Sequence, residues 1–248
     1  MKIIIKTPEE LDLMRQAGKI VGNALKLAEK QIYVGQTSNN LCKIVEDYIL
    51  SQGATPSFKG YNDFPFAICA SKNDEIVHGF CDDVPLKNGD IISIDIGAKY
   101  KGFHSDAART FAVGSVSDEI KRLNDVTKQS FFEGLEGIKE GCKLGNISSR
   151  IQKFVEKNGF TVVREMAGHG VGRNLHEDPI IPNYGSFNAG PVLKEGMVLA
   201  VEPMVNMGKR DVALLNNDWT LVTQDGKPAS HYENTVIILK EGIEILTD

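Results

Sequence analysis

Apolar residues recur along this chain at two periods, and the order in which those periods appear is repeated. Leu11, Met14, Ile20, Val21, Ala24, Leu25 and Ala28 fall at the spacing of one helical face. Thr7-Pro8-Glu9-Glu10 ahead of them reads as a helix start, with Thr7 as the cap, Pro8 in the first turn and Glu10 where a capping-box acid belongs. A second helix is predicted over about 39–51, stopped by Gly53. Strand patterns follow around 67–70, 91–97 and 103–113. From about Asp118 the order restarts: a helix to roughly Ile138, another over about 146–157 with a stop at Gly159, then strands near 160–165, 197–207, 219–224 and 231–239. Helices followed by runs of strands predict an α+β fold with antiparallel pairing rather than a parallel βαβ array.

The repeat extends to the residues themselves. LKNGDIISIDIG (86–97) aligns without gaps on LKEGMVLAVEPM (193–204), which sets Asp95 over Glu202. HSDAART (104–110) aligns on HYENTVI (231–237), which sets Asp106 over Glu233. Gly53 and Gly159 are separated by nearly the same offset as Asp95 and Glu202, so the duplication covers most of the chain. We expect a single domain, residues 1–248, made of two pseudo-symmetric halves of roughly 1–114 and 115–248.

Four acids placed pairwise by a duplication would meet between the halves. Buried like charges coexist only when protons or cations neutralise them. A pair of divalent metals is the natural counter-charge, and hard carboxylates are natural ligands for them. The segment AGHGVGRNLHEDP (167–179) adds His169 between Gly168 and Gly170, where little side-chain bulk obstructs a metal or substrate. An imidazole with four carboxylates makes a mixed N/O site suited to Mn, Fe, Co or Zn. On its own, a histidine between glycines marks a turn as readily as a site.

Composition narrows the classes of function. With 42% hydrophobic and 25% charged residues, the 248-residue chain has the make-up of a soluble globular protein. Its net charge is -5 and its Lys and Arg are scattered, so no basic face announces nucleic acid or an anionic membrane. Cys42, Cys69, Cys81 and Cys142 show no CxxC or zinc-finger spacing and suit reduced thiols in a cytoplasmic protein. The first residues hold too short an apolar run for a signal peptide, and no segment has the uncharged length of a membrane span.

The chain resembles type I methionine aminopeptidases, metallopeptidases of the pita-bread fold. The resemblance runs over essentially the whole sequence, including MRQAGKIV (14–21), VHGF (77–80) and IDIGAKYKGFHSDAARTF (94–111). It implies a curved antiparallel sheet covered by helices, and removal of the initiator methionine from nascent chains whose second residue is small. The family's five ligands match Asp95, Asp106, His169, Glu202 and Glu233. The resemblance implies that Asp106 and Glu233 bridge two divalent ions (Co, Mn, Fe or Zn), that Asp95 completes one site, and that His169 with Glu202 completes the other. A water activated by the metals would be the nucleophile, and Glu202 the general acid/base. His78 matches the contact to the scissile amide, and His176 the residue that holds the substrate carbonyl and its developing oxyanion.

Phe58, Tyr61, Phe64, Cys69 and Trp219 match the walls of the methionine pocket, although from spacing alone they would be ordinary core. His104 and His231 fall on the same strand faces as Asp106 and Glu233, where a supporting role is expected. Three positions depart from the family pattern: Leu175 where an aromatic is frequent, Phe58 where a smaller residue is frequent, and Asn234 where histidine is common. The implied partners are nascent polypeptide N-termini at the ribosome, with the protein a monomer that binds neither nucleic acid nor membrane. Prolidases and aminopeptidases P share the metal motifs but normally carry a large extra N-terminal domain, of which this sequence holds nothing. Type II methionine aminopeptidases carry an insertion for which the stretch from His169 to Glu202 leaves no room. An enzyme of X-Pro specificity and a non-catalytic binding homologue stand as alternatives.

Overall fold

In the computed structural model, which describes residues 3–248, the first helix begins as its sequence dictates. Thr7 Oγ1 accepts from the Glu10 backbone N–H, and the Glu10 carboxylate accepts from the Thr7 N–H. This capping box starts α1 (Pro8–Lys30), whose buried face carries Met14, Ile20, Val21 and Leu25. Thr37 caps α2 (Ser38–Ser51), and Gly53 with φ +70 turns the chain away from it. There follow β1 (Thr55–Pro56), β2 (Ile68–Lys72), β3 (Glu75–Val77), β4 (Ile91–Tyr100) and β5 (Phe103–Ala112).

The second half opens with α3 (Asp118–Leu135), which stops short of the expected Ile138 because Glu136 leaves helical geometry and Gly137 takes φ +66. Next, α4 (Leu144–Lys157) begins two residues earlier than its pattern suggested. The remaining strands are β6 (Thr161–Val162), β7 (Ala167–Gly170), β8 (Glu177–Pro182), β9 (Val198–Val201), β10 (Met204–Asn206), β11 (Val212–Leu214), β12 (Leu221–Thr223), β13 (Ala229–His231), β14 (Asn234–Leu239) and β15 (Gly242–Ile245).

Every strand pairing among the described residues is antiparallel. With helices segregated from strands, the class is α+β, as the sequence predicts. The long β4–β5 hairpin anchors a four-stranded sheet, with β2 and β1 on the other edge of β4. A five-stranded sheet runs β15-β14-β9-β7-β8, and two three-stranded sheets run β13-β10-β6 and β11-β12-β3. Val21, Leu41 and Val45 of the first two helices pack against Ile68, Ile94 and Ala107 of the first sheet. Leu123, Phe131, Ile147 and Ile151 of α3 and α4 pack against Leu199 and Val236 in the same way. Each fully buried side chain of this kind contributes about 1.5–3 kcal/mol, so the strands are held firmly from the helical side.

Two expected strands turn out to be broken. The run predicted near 197–207 is β9 and β10, which belong to different sheets and are separated by Glu202-Pro203. Pro203 has no N–H for a ladder and marks the switch. The run predicted near 231–239 is likewise β13 and β14, separated at Tyr232-Glu233. The two breaks lie opposite one another, with Val201 paired to Asn234 on one side and Met204 to His231 on the other. Glu202 and Glu233 therefore sit where the chain passes between sheets. Asp95 and Asp106 sit inside an unbroken hairpin.

Candidate metal centre

On the β4–β5 hairpin Asp95 faces Ala108 and Gly97 faces Asp106, so alternation puts both aspartates on one face. Glu202 and Glu233 approach from the paired breaks. His169 enters from β7, where it pairs with Ala200 of β9. Asp106, His169 and Glu233 each bring a ligand atom within 4.8 Å of the others. His169 Nε2 lies 3.6 Å from Asp106 Oδ2 and 3.6 Å from Glu202 Oε1. Every candidate residue read from the sequence, the five donors, His78, His176 and the five pocket walls, lines a single cavity of about 250 Å³.

The electrostatics of this cluster call for a cation. Burial, then the neighbouring acids, pushes Asp95, Glu202 and Glu233 well above the usual carboxylate range. Burial raises Asp106 to about 6. Asp95 Oδ1 is buried with no hydrogen-bond partner, which leaves a lone pair aimed at nothing the protein supplies. The donor set of four carboxylates and one imidazole fits a divalent metal site.

His169 is prepared for that role. Its Nδ1 lies 2.8 Å from the Gly170 carbonyl, which can only accept, so Nδ1 carries the proton and Nε2 presents its lone pair to the acids. Burial lowers its pKa to about 4 and keeps the ring neutral. The flanking glycines have a different use from the one expected. A Cβ on Gly168 would strike the carbonyl oxygen of Ala200, and one on Gly170 that of Asp178. The missing side chains make room for neighbouring backbone.

Several residues that fasten the cluster escaped the sequence reading. Thr235 Oγ1 lies 2.8 Å from the Asp106 carbonyl and 3.3 Å from its Oδ1. Asn183 Nδ2 donates to the Glu202 carbonyl at 2.9 Å, holding the first break. Arg109 donates to the Glu233 carbonyl at 2.5 Å and to Asn234 Oδ1 at 2.7 Å, holding the second. Thr235 could have been found by strand alternation two residues past Glu233, and Arg109 lies inside a matched motif; Asn183 has no sequence signal. Asn62, also unforeseen, lines the cavity. His231 lies beneath the acids, its Nε2 3.8 Å from Glu202 and 3.9 Å from Glu233. His104 instead meets Ser57 Oγ at 2.9 Å.

The apolar side of the cavity is a cluster of Phe58, Phe64, Cys69 and Leu175, with Tyr61 and Trp219 packed on it. Phe64 meets Trp219 edge-on at 5.0 Å. Cys69 pairs with Asp95 across β2–β4, so the apolar wall adjoins the acids directly. Leu175 takes its place in this wall as an apolar residue. Phe58 fits because its neighbour is Gly97, where a Cβ would come 2.6 Å from the Phe58 ring.

Two histidines complete the polar side. His78 holds φ +57, a left-handed conformation rare outside glycine, and its carbonyl accepts from Thr220 Oγ1 at 3.1 Å. Burial lowers its pKa to about 4, so it is neutral. His176 stands at the mouth with its ring 4.3 Å from that of His169 and its Nδ1 2.8 Å from Tyr61 Oη. Tyr61 thus does more than wall the pocket: when its hydroxyl donates to Nδ1, the His176 proton is left on Nε2. A second, open cavity of about 700 Å³ shares only His169 and His176 with the first and is floored by Ile180 and Pro182.

Comparison with known proteins agrees with this geometry. Residues 12–240 match the model of Metallopeptidase family M24. The chain is 54% identical over 245 residues to "Methionine aminopeptidase 1" of Bacillus subtilis (strain 168), covering 99% of each. It is 53% identical over 245 residues to the methionine aminopeptidase of Clostridium perfringens, covering 99% of this chain and 98% of that one. The crystal structure of methionine aminopeptidase from Rickettsia prowazekii matches with a TM-score of 0.98 and 39% identity, covering 100% of both chains. No helix among the described residues is long and apolar enough to cross a membrane.

Proposed function

Because this chain belongs to metallopeptidase family M24, with its pita-bread fold, and removes an N-terminal methionine, we propose that its five clustered donors hold two divalent cations beside a methionine pocket. The observation that carries this reading is the single cavity in which Asp95, Asp106, His169, Glu202 and Glu233 face a wall of Phe58, Tyr61, Phe64, Cys69 and Trp219. Asp106 and Glu233 would serve both cations, Asp95 would add to the hold on one, and His169 with Glu202 to the hold on the other. Cations such as Co, Mn, Fe or Zn would neutralise the acids, polarise the substrate carbonyl and bring the pKa of water down towards about 7. Aminopeptidases are among the enzymes already known to use paired metals, so that device is established chemistry rather than a deduction from this chain.

The protein's own groups divide the remaining work. The apolar wall takes the thioether side chain through burial and sulfur–ring contact. Glu202 accepts the proton of the attacking water and passes it to the leaving amine. His176 Nε2–H donates to the carbonyl oxygen as negative charge develops there. His78, fixed by its strained backbone, contacts the scissile amide. Asp95 and Asp106 from one half and Glu202 and Glu233 from the other meet in this cavity, which supports reading the chain as one catalytic domain of two pseudo-symmetric halves. Nascent chains still carrying their first methionine are the substrates, which points to the cytoplasm, where free thiols like the four cysteines stay reduced.

The resemblance to methionine aminopeptidases implies little room for the side chain that follows methionine. Peptides beginning Met-Gly, Met-Ala and Met-Ser are therefore cut, and those beginning Met-Leu, Met-Lys or Met-Phe are cut poorly or not at all. A metal-reconstituted assay with the products identified by mass decides this. Equal rates across the two sets indicate a general aminopeptidase, and preference for X-Pro starts indicates the prolidase-like alternative.

A further inference from the structure

We infer that Lys6 and Glu177 are positioning residues, a buried ion pair through which the segment ahead of α1 sets where His176 stands. The inference rests on the role proposed above for His176. Lys6 Nζ donates to Glu177 Oε2 at 2.7 Å and to the Ile4 carbonyl at 3.2 Å. The two side chains are only 3% and 4% exposed, which is unusual for a lysine so near the start of a chain. The Lys6 N–H donates to the Gly196 carbonyl at 3.0 Å, so the segment is anchored to the loop before β9.

The turn on the other side of the pair is built around it. Glu177 Oε1 accepts from the Asn174 N–H at 3.1 Å, which closes the turn. At Gly172 a Cβ would come 2.6 Å from Lys6 Cε and 2.7 Å from Glu177 Oε1, so the pair occupies the space a side chain there would need. A second, exposed pair joins Arg173 to Glu10, the capping acid of α1, at 2.9 Å. Residues 6 and 10 thus fasten one face of the turn.

His176 directly precedes Glu177 and is itself exposed, with one side-chain hydrogen bond, to Tyr61. Its position is inherited from the turn. Buried ion pairs are weak sources of stability but, in some proteins, fix one geometry among several. Removing the Lys6 charge leaves the Glu177 carboxylate buried without its cation and drives it towards water, carrying His176 along. A catalytic group displaced by about 1 Å can cost about 10²-fold in rate.

The test is a mutant cycle on the metal-loaded enzyme acting on Met-Ala-Ser, with Lys6→Met, His176→Ala and the double variant. Lys6→Met is expected to lower kcat by about 10–10²-fold, with KM and metal content held near wild type. In the His176→Ala background the same change should alter kcat by less than about threefold, because the route of its effect is already gone. Unchanged kcat in Lys6→Met, or an equal fold loss in both backgrounds, overturns the inference. If Lys6→Met fails to fold, Glu177→Gln takes its place in the cycle with the same non-additivity expected. A wild-type kcat in His176→Ala removes the premise and shows the proposed role of His176 to be wrong. A loss in His176→Ala without one in Lys6→Met leaves that role standing and defeats the ion-pair inference alone.

Discussion

Glu202→Gln should lower kcat by about 10²–10⁴-fold, the usual contribution of a positioned general base. The substitution keeps the shape of the side chain and removes its capacity to take a proton. Glu202 is suited to that work by its place at the break between β9 and β10, where Asn183 grips its carbonyl and its carboxylate points at His169. Burial, then the adjacent Asp106 and Asp95, raises its pKa above the usual carboxylate range, the direction expected of a carboxylate used to hold and return a proton. The decisive measurement is kcat on Met-Ala-Ser with metal content determined on the same sample. A variant that keeps its metal and stays within tenfold of wild type would show that another group moves the proton.

His176→Ala and His169→Ala should fail in different ways although their rings are only 4.3 Å apart. The Gly170 carbonyl forces the His169 lone pair onto Nε2, towards Asp106 and Glu202, as a metal ligand requires. With the Tyr61 hydroxyl donating to Nδ1, His176 carries its proton on Nε2, as an oxyanion donor requires. Losing His169 should therefore reduce metal content together with activity. Losing His176 should leave metal content intact and cost about 10²–10³-fold, mainly in kcat, since the contact is made chiefly in the transition state. Calorimetric titration of metal into both variants separates them. If His176→Ala loses a metal while His169→Ala keeps its full complement, the two roles are reversed.

Much of this site is legible in the sequence because a duplication wrote it twice. The paired motifs around Asp95 and Glu202, and around Asp106 and Glu233, announce that these acids belong together. The capping box at Thr7 and Glu10 is local chemistry, and local chemistry is legible. The breaks at Glu202 and Glu233 are not, because an apolar run does not say which sheet each of its parts joins; that choice is made by pairing with distant strands. Pro203 was in plain view, but its consequence depends on those partners. The pocket walls pattern as core because they are packed like core, and only the cavity beside them reveals the difference. The left-handed backbone of His78, the Tyr61 hydrogen bond and the Lys6–Glu177 pair join residues too far apart in the chain, or too particular in geometry, for spacing to show.

The most direct test strips the protein of metal, verifies its absence by metal analysis, and titrates a divalent cation back while methionine release from Met-Ala-Ser is followed by mass. The clustered acids and His169 predict no release from the stripped protein and recovery with Co, Mn or Fe, rising with metal bound. Full methionine release from a sample in which analysis finds no cation would contradict the account.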